Sequence, residues 1–75
     1  MITVKLFGLV RLETGIKELR VEADNVRQLQ KALTRNIPEE KIKGCVLLVN
    51  GKRANPFTIL KDGDQVMMMP PVAGG

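Results

Sequence analysis

The sequence predicts an α+β domain, a mixed β-sheet covered on one face by one main α-helix. Three observations carry this. Two stretches near the start alternate apolar and polar residues with the period of a strand. A capped segment beginning at Asn25 repeats its apolar residues with the period of a helix, and Asn50-Gly51 follows an apolar stretch as a hairpin signal. The 75 residues make one domain, near the lower size at which a single core suffices without disulfides or metals. No repeat, low-complexity segment or internal linker interrupts it.

Ile2-Thr3-Val4-Lys5-Leu6 alternates and is rich in β-branched residues, which predicts a half-buried strand; Phe7 ends it and Gly8 releases it. Residues 9–15 are too few for an independent helix but suit a helical turn or two closed by Gly15. Residues 17–22 alternate again, which predicts a second strand antiparallel to the first. Asn25 and Gln28 form a capping-box pattern ahead of Val26, Leu29, Ala32 and Leu33, the apolar face of the main helix. Its end is expected near Asn36, which tolerates a left-handed cap, because Pro38 disfavours helical geometry at Ile37. Residues 38–44 suit a short helical turn, with Pro and acids first, lysines late and Gly44 closing it.

Cys45-Val46-Leu47-Leu48-Val49 is unbroken apolar sequence and predicts a buried strand, returned by Asn50-Gly51 into a short strand at residues 52–54. Asn55-Pro56 opens a loop, and Asp62-Gly63-Asp64 makes a tight turn rather than a carboxylate site. Residues 66–69 form the last strand. A period of two points Val66 and Met68 at the core and turns Met67 and Met69 to the other face, where an adaptable apolar docking patch competes with packing under a loop.

Composition excludes several functions. Without histidine and with Cys45 alone, there is no internal disulfide, no metal-ligand set and no self-contained catalytic triad; Cys45 suits a small packed hydrophobe. The net charge of +4 comes from scattered lysines and arginines, and the aromatics are Phe7 and Phe57 only, so a nucleic-acid surface has neither a basic tract nor a stacking platform. Arg11 is a candidate for pairing with a partner's acid or for capping a local turn. No apolar stretch approaches a membrane span, and the opening residues lack a basic segment followed by an apolar one, so a cytoplasmic protein is expected.

The segment Pro70-Pro71-Val72-Ala73-Gly74-Gly75 carries the chemistry. Two prolines stop the last strand and project the chain end away from the sheet, while two glycines let a narrow channel close around the backbone and bring a carboxylate to a reacting group. The expected division is a folded domain at 1–71 and a flexible diglycine tail at 72–75; an ordinary frayed end is the alternative. Gly75 is assigned to chemistry, Gly74 to fit, and Val72 and Ala73, with Pro71, to recognition.

With Phe7-Gly8-x-x-Arg11-x-x-x-Gly15, Asn50-Gly51, Leu60-x-Asp62-Gly63-Asp64-x-Val66 and the terminal block, the chain resembles the ubiquitin-like β-grasp sulfur carriers over its whole length. It is most similar to the small subunit of molybdopterin synthase, because thiamine-type carriers typically lack the 9–15 segment and the double proline. It departs from that pattern at Leu12, where an acid often follows the arginine, at Met68 and Met69, where aromatics often precede the prolines, and in its positive charge.

The resemblance implies a protein that is not itself an enzyme and binds no cofactor. It implies that an adenylating enzyme uses ATP and Mg to activate Gly75, that a sulfur donor protein converts the adenylate to a thiocarboxylate, and that the synthase large subunit receives the tail and passes sulfur to a pterin precursor. Partner contacts fall to Met67, Met69 and Arg11 beside the tail. The alternatives are a thiamine-type sulfur carrier and a ubiquitin-like modifier conjugated through Gly75.

Overall fold

The computed structural model describes residues 1–71. In chain order these form β1 (Ile2–Leu6), α1 (Gly8–Thr14), β2 (Glu18–Val21), α2 (Val26–Leu33), α3 (Glu39–Lys43), β3 (Val46–Val49), β4 (Lys52–Arg53) and β5 (Gln65–Met69). The strands make one sheet in the order β2-β1-β5-β3-β4. β1 and β5 run parallel, and the other neighbours are antiparallel, so the sheet is mixed as expected.

The core lies between one face of this sheet and the helices. Ile2, Val4 and Leu6 of β1, Val66 and Met68 of β5 and Leu47 of β3 meet Val26, Leu29 and Leu33 of α2, with Val10 from α1, Ile42 from α3, and Ile37 and Leu60 from loops. Fully burying each such side chain contributes about 1.5–3 kcal/mol, and no polar or charged side chain among the described residues is buried to offset it. The positions Val26, Leu29 and Leu33 share the inner face of α2 because their spacing matches 3.6 residues per turn.

Most elements fall where the sequence places them. At the Asn50-Gly51 turn both residues have positive φ (50° and 85°), the geometry whose twist matches a hairpin. Asp64 supports that corner: its carboxylate accepts from Lys61 N–H at 2.8 Å and from Asn50 Nδ2 at 3.0 Å, while Asn50 Oδ1 accepts from Gln65 N–H at 3.0 Å. These bonds to the ionised form hold the Asp64 carboxyl below the usual range, the Lys61 bond first and Asn50 second, so the acids at 62–64 serve the turn as expected.

Three details differ. α2 ends at Leu33, and Asn36 is not a left-handed cap: Asn50 is the only positive-φ non-glycine described, and the chain leaves through i→i+3 bonds from Thr34, Arg35 and Asn36 N–H that tighten the last turn. In the capping box, Asn25 Oδ1 accepts from Gln28 N–H at 2.8 Å, but Gln28 Oε1 accepts from Asp24 N–H rather than that of Asn25. β3 is not buried on both faces. Leu47 alone is buried in it, because every helix lies on the core side and leaves Val46 and Leu48 facing outward.

Candidate functional site

The site is built where β5 leaves the sheet. Gln65–Met69 is the central strand, paired on one side with β1 and on the other with β3, and it stops at Met69 because Pro70 has no N–H to extend either ladder. The carbonyl of Met68 accepts from Phe7 N–H at 3.0 Å. Gly8 comes next with φ 67°, and a Cβ built on it would stand 2.9 Å from Pro70 Cγ and 3.0 Å from Cδ. The start of α1 therefore lies against the proline ring, an approach that glycine makes freely and that any side chain makes only by displacing the ring or the backbone. Phe7-Gly8 thus holds Pro70 in place, although the residues lie at opposite ends of the sequence.

The strand register assigns the outer face. Met69 pairs with Val46 and Met67 with Leu48, so these four side chains share the face turned away from the core. Met67 is also next to Lys5 in the parallel pairing, and Leu48 is opposite Arg53. The four apolar residues are half-buried. α1, α2 and α3 all send their buried residues to the opposite side. The result is an apolar strip running to Pro70, with cationic residues beside it. Methionine suits such a surface because its unbranched, polarisable side chain repacks against differently shaped partners.

Of the residues singled out from sequence, the structure brings Met67, Met69 and Pro71 to this end of β5. Arg11 is exposed on α1; its carbonyl accepts from Gly15 N–H at 2.9 Å, and its side chain has no hydrogen bond or ion pair among the described residues. Val72, Ala73, Gly74 and Gly75 lie outside the described residues, as does the tail expected at 72–75. Val46 and Leu48 were hidden in the sequence by an unbroken apolar run. The signal that finds them is that one main helix covers one sheet face only, so alternate residues of that run must face outward.

No group of three or more His, Cys, Asp or Glu side chains suited to a metal ion occurs among the described residues. Cys45 packs half-buried against the core, and that burial pushes its thiol up, away from the reactive thiolate. No helix among the described residues is long and apolar enough to cross a membrane. What the geometry provides is a half-buried apolar strip on the outer face of the sheet that leads to Pro70.

The chain is similar to solved structures with different described roles. Small archaeal modifier protein 1 of Methanosarcina acetivorans is 28% identical, with a TM-score of 0.82 over 99% of this chain and 95% of that one. A protein described as molybdopterin converting factor subunit 1 from Pyrococcus furiosus is 29% identical, with a TM-score of 0.79 over 95% and 97%. A chain in the complex of subunits 1 and 2 of the molybdopterin-converting factor from Helicobacter pylori is 27% identical, with a TM-score of 0.72 over 99% and 97%. No curated protein matches the sequence significantly. The profile of the ThiS family matches residues 4–75, and the chain belongs to this family of ubiquitin-like β-grasp sulfur carriers.

Proposed function

We propose that this protein carries sulfur on Gly75 and acts as the small subunit of a molybdopterin synthase. The observation that supports this most is the convergence of the apolar strip Met67, Met69, Val46 and Leu48 on the root of a diglycine segment. A docking surface and a reagent are then fixed to one strand. The carboxylate is a poor electrophile until an oxygen becomes a good leaving group. An adenylating enzyme supplies this with ATP and Mg: a carboxylate oxygen attacks the α-phosphorus and pyrophosphate leaves; the terminal sulfur of a donor protein's persulfide then displaces AMP to give an acyl disulfide, and a thiol cleaves its S–S bond, leaving the thiocarboxylate and a disulfide between the donor and that thiol. The thiocarboxylate is a nucleophile tethered to a body that the large subunit recognises, and its sulfur passes there to a pterin precursor.

In this role the body contributes binding and position, with catalysis on its partners. Residues 72–75 reach at most ~13 Å beyond Pro71 at about 3.3 Å per residue, enough to enter a buried site while the sheet docks outside it. The test is intact-protein mass spectrometry after incubation with the adenylating enzyme, ATP, Mg and a sulfur donor, and then after addition of the large subunit and pterin precursor. Replacement of one oxygen by sulfur, and its loss on transfer, is the expected result. A chain that acquires no sulfur overturns the proposal.

A second reading, conjugation of Gly75 to substrate lysines, draws support from the 28% identity to an archaeal modifier protein. It predicts diglycine remnants on host proteins that disappear when Gly75 is deleted.

A further inference from the structure

We infer that Leu9 and Leu12 form an apolar lip at the root of the tail, and that the adenylating enzyme seats the rim of its tail channel on it. This rests on the sulfur-carrier role and adds a surface to it. Leu9 is 62% exposed and Leu12 80% exposed, although both lie in a helix whose single buried residue is Val10. The fold does not need them. Thr14 caps its own turn by donating from Oγ1 to the Val10 carbonyl at 2.7 Å, and Glu13 is engaged by Lys41 at 2.6 Å.

Their place on α1 ties them to the tail. Gly8 is the residue of α1 that meets the Pro70 ring. Leu12 stands four residues on, one turn along the same side of the helix, and Leu9 is its i−3 neighbour. The reach of the tail supplies the occupant. With ~13 Å at most between Pro71 and Gly75, an active site that takes Gly75 must bring its channel mouth close to Pro71, so its walls lie against what surrounds the root. Met69 immediately precedes that root in β5, and α1 lies against it through the contact of Gly8 with Pro70.

Specificity gives the lip a use. A diglycine carboxylate has no side chain by which one carrier could be told from another, so discrimination falls to side chains further back, Val72 and Ala73 and those around Pro70 and Pro71. Two leucines offered to solvent there suit an apolar rim, and burying them gives a contact that polar residues cannot replace.

The experiment is ATP-pyrophosphate exchange with the host's adenylating enzyme, comparing the wild-type chain with Leu9→Gln/Leu12→Gln and Leu9→Met/Leu12→Met. Thermal melting and sedimentation run alongside. The glutamine pair should melt as wild type, because both positions are exposed, and should raise KM about tenfold or more with kcat retained, the mark of lost uniform binding. The methionine pair should stay close to wild type. Exchange with an unchanged KM in the glutamine pair overturns the lip while leaving the carrier role intact, whereas no exchange with the wild-type chain overturns both. A wild-type dimer abolished by the glutamine pair would assign the lip to a second copy and overturn it as well.

Discussion

Gly8 and Gly15 have nearly the same φ, 67° and 72°, but different surroundings, and that difference measures what the contact with Pro70 contributes. An alanine at Gly15 meets nothing within 4 Å, so its cost is the left-handed conformation alone, about 1–2 kcal/mol. An alanine at Gly8 also has to adopt a positive φ, taken here at a similar cost, and places its methyl 2.9 Å from Pro70 Cγ, well inside the 3.5–4.0 Å optimum for carbon pairs. Pro70 is held by its ring and by the adjoining ladder, so the contact cannot be relieved by rotating a side chain. Another ~1–2 kcal/mol is expected from this overpacking. For a domain of this size each kcal/mol lowers the melting temperature by roughly 4–8 °C, so Gly15→Ala should melt about 4–16 °C below wild type and Gly8→Ala about 8–32 °C below. Calorimetry gives both values, and exchange with the adenylating enzyme at a temperature where all three chains are folded should show a raised KM for Gly8→Ala alone. Equal melting losses with equal KM values would refute the claim that Gly8 holds Pro70 in place.

The same geometry fixes other outcomes. Met68→Asp should prevent folding, since it puts an unpaired carboxylate at a fully buried position at a cost of several kcal/mol, whereas Met69→Asp should leave melting close to wild type and weaken binding to the large subunit, measured by calorimetric titration. Because the Asp64 carboxyl titrates below its ordinary value in the folded chain, its contribution is fully present above the ordinary pKa of ~3.9 and is lost as pH falls through the lower folded value; the melting difference between wild type and Asp64→Ala should therefore be flat from pH 7 to about 5 and narrow below about 4. A residue added after Gly75 converts its carboxylate to an amide and should abolish sulfur loading in the mass-spectrometric assay without altering melting.

What the sequence disclosed depended on whether local chemistry settled the question. The Asn50-Gly51 turn, the Asn25 cap and the inward register of Val66 and Met68 were legible because a positive φ, an unsatisfied N–H or a period of two fixes each within a few residues. The end of α2 was not, because a left-handed cap at Asn36 and a tightened last turn satisfy the same carbonyls, and the tertiary position of Ile37 in the core selects the second. The outward half of β3 was also illegible. An unbroken apolar run does not say which faces are covered; that depends on where the helices pack. The contact of Gly8 with Pro70 joins residues far apart in sequence, and the motif signalled that glycine mattered without saying what it approached.

The central place of β5 bears on how the tail could work. An edge strand would be held by one ladder, and the residue that follows it would move with every fraying of that edge. β5 is held on both sides, by β1 through a parallel ladder and by β3 through an antiparallel one, and Val66 and Met68 anchor it from beneath with no exposed surface. The Phe7 N–H bond to Met68 and the Gly8 contact with Pro70 carry this hold past the last strand residue. Moving the root would therefore require breaking two ladders and opening the core, so local opening there should cost nearly as much as global unfolding. Hydrogen exchange at Met67 and Met69 checks this: protection close to the global value is expected, and exchange as fast as in the two-residue edge strand β4 would show that the root is not held by the body.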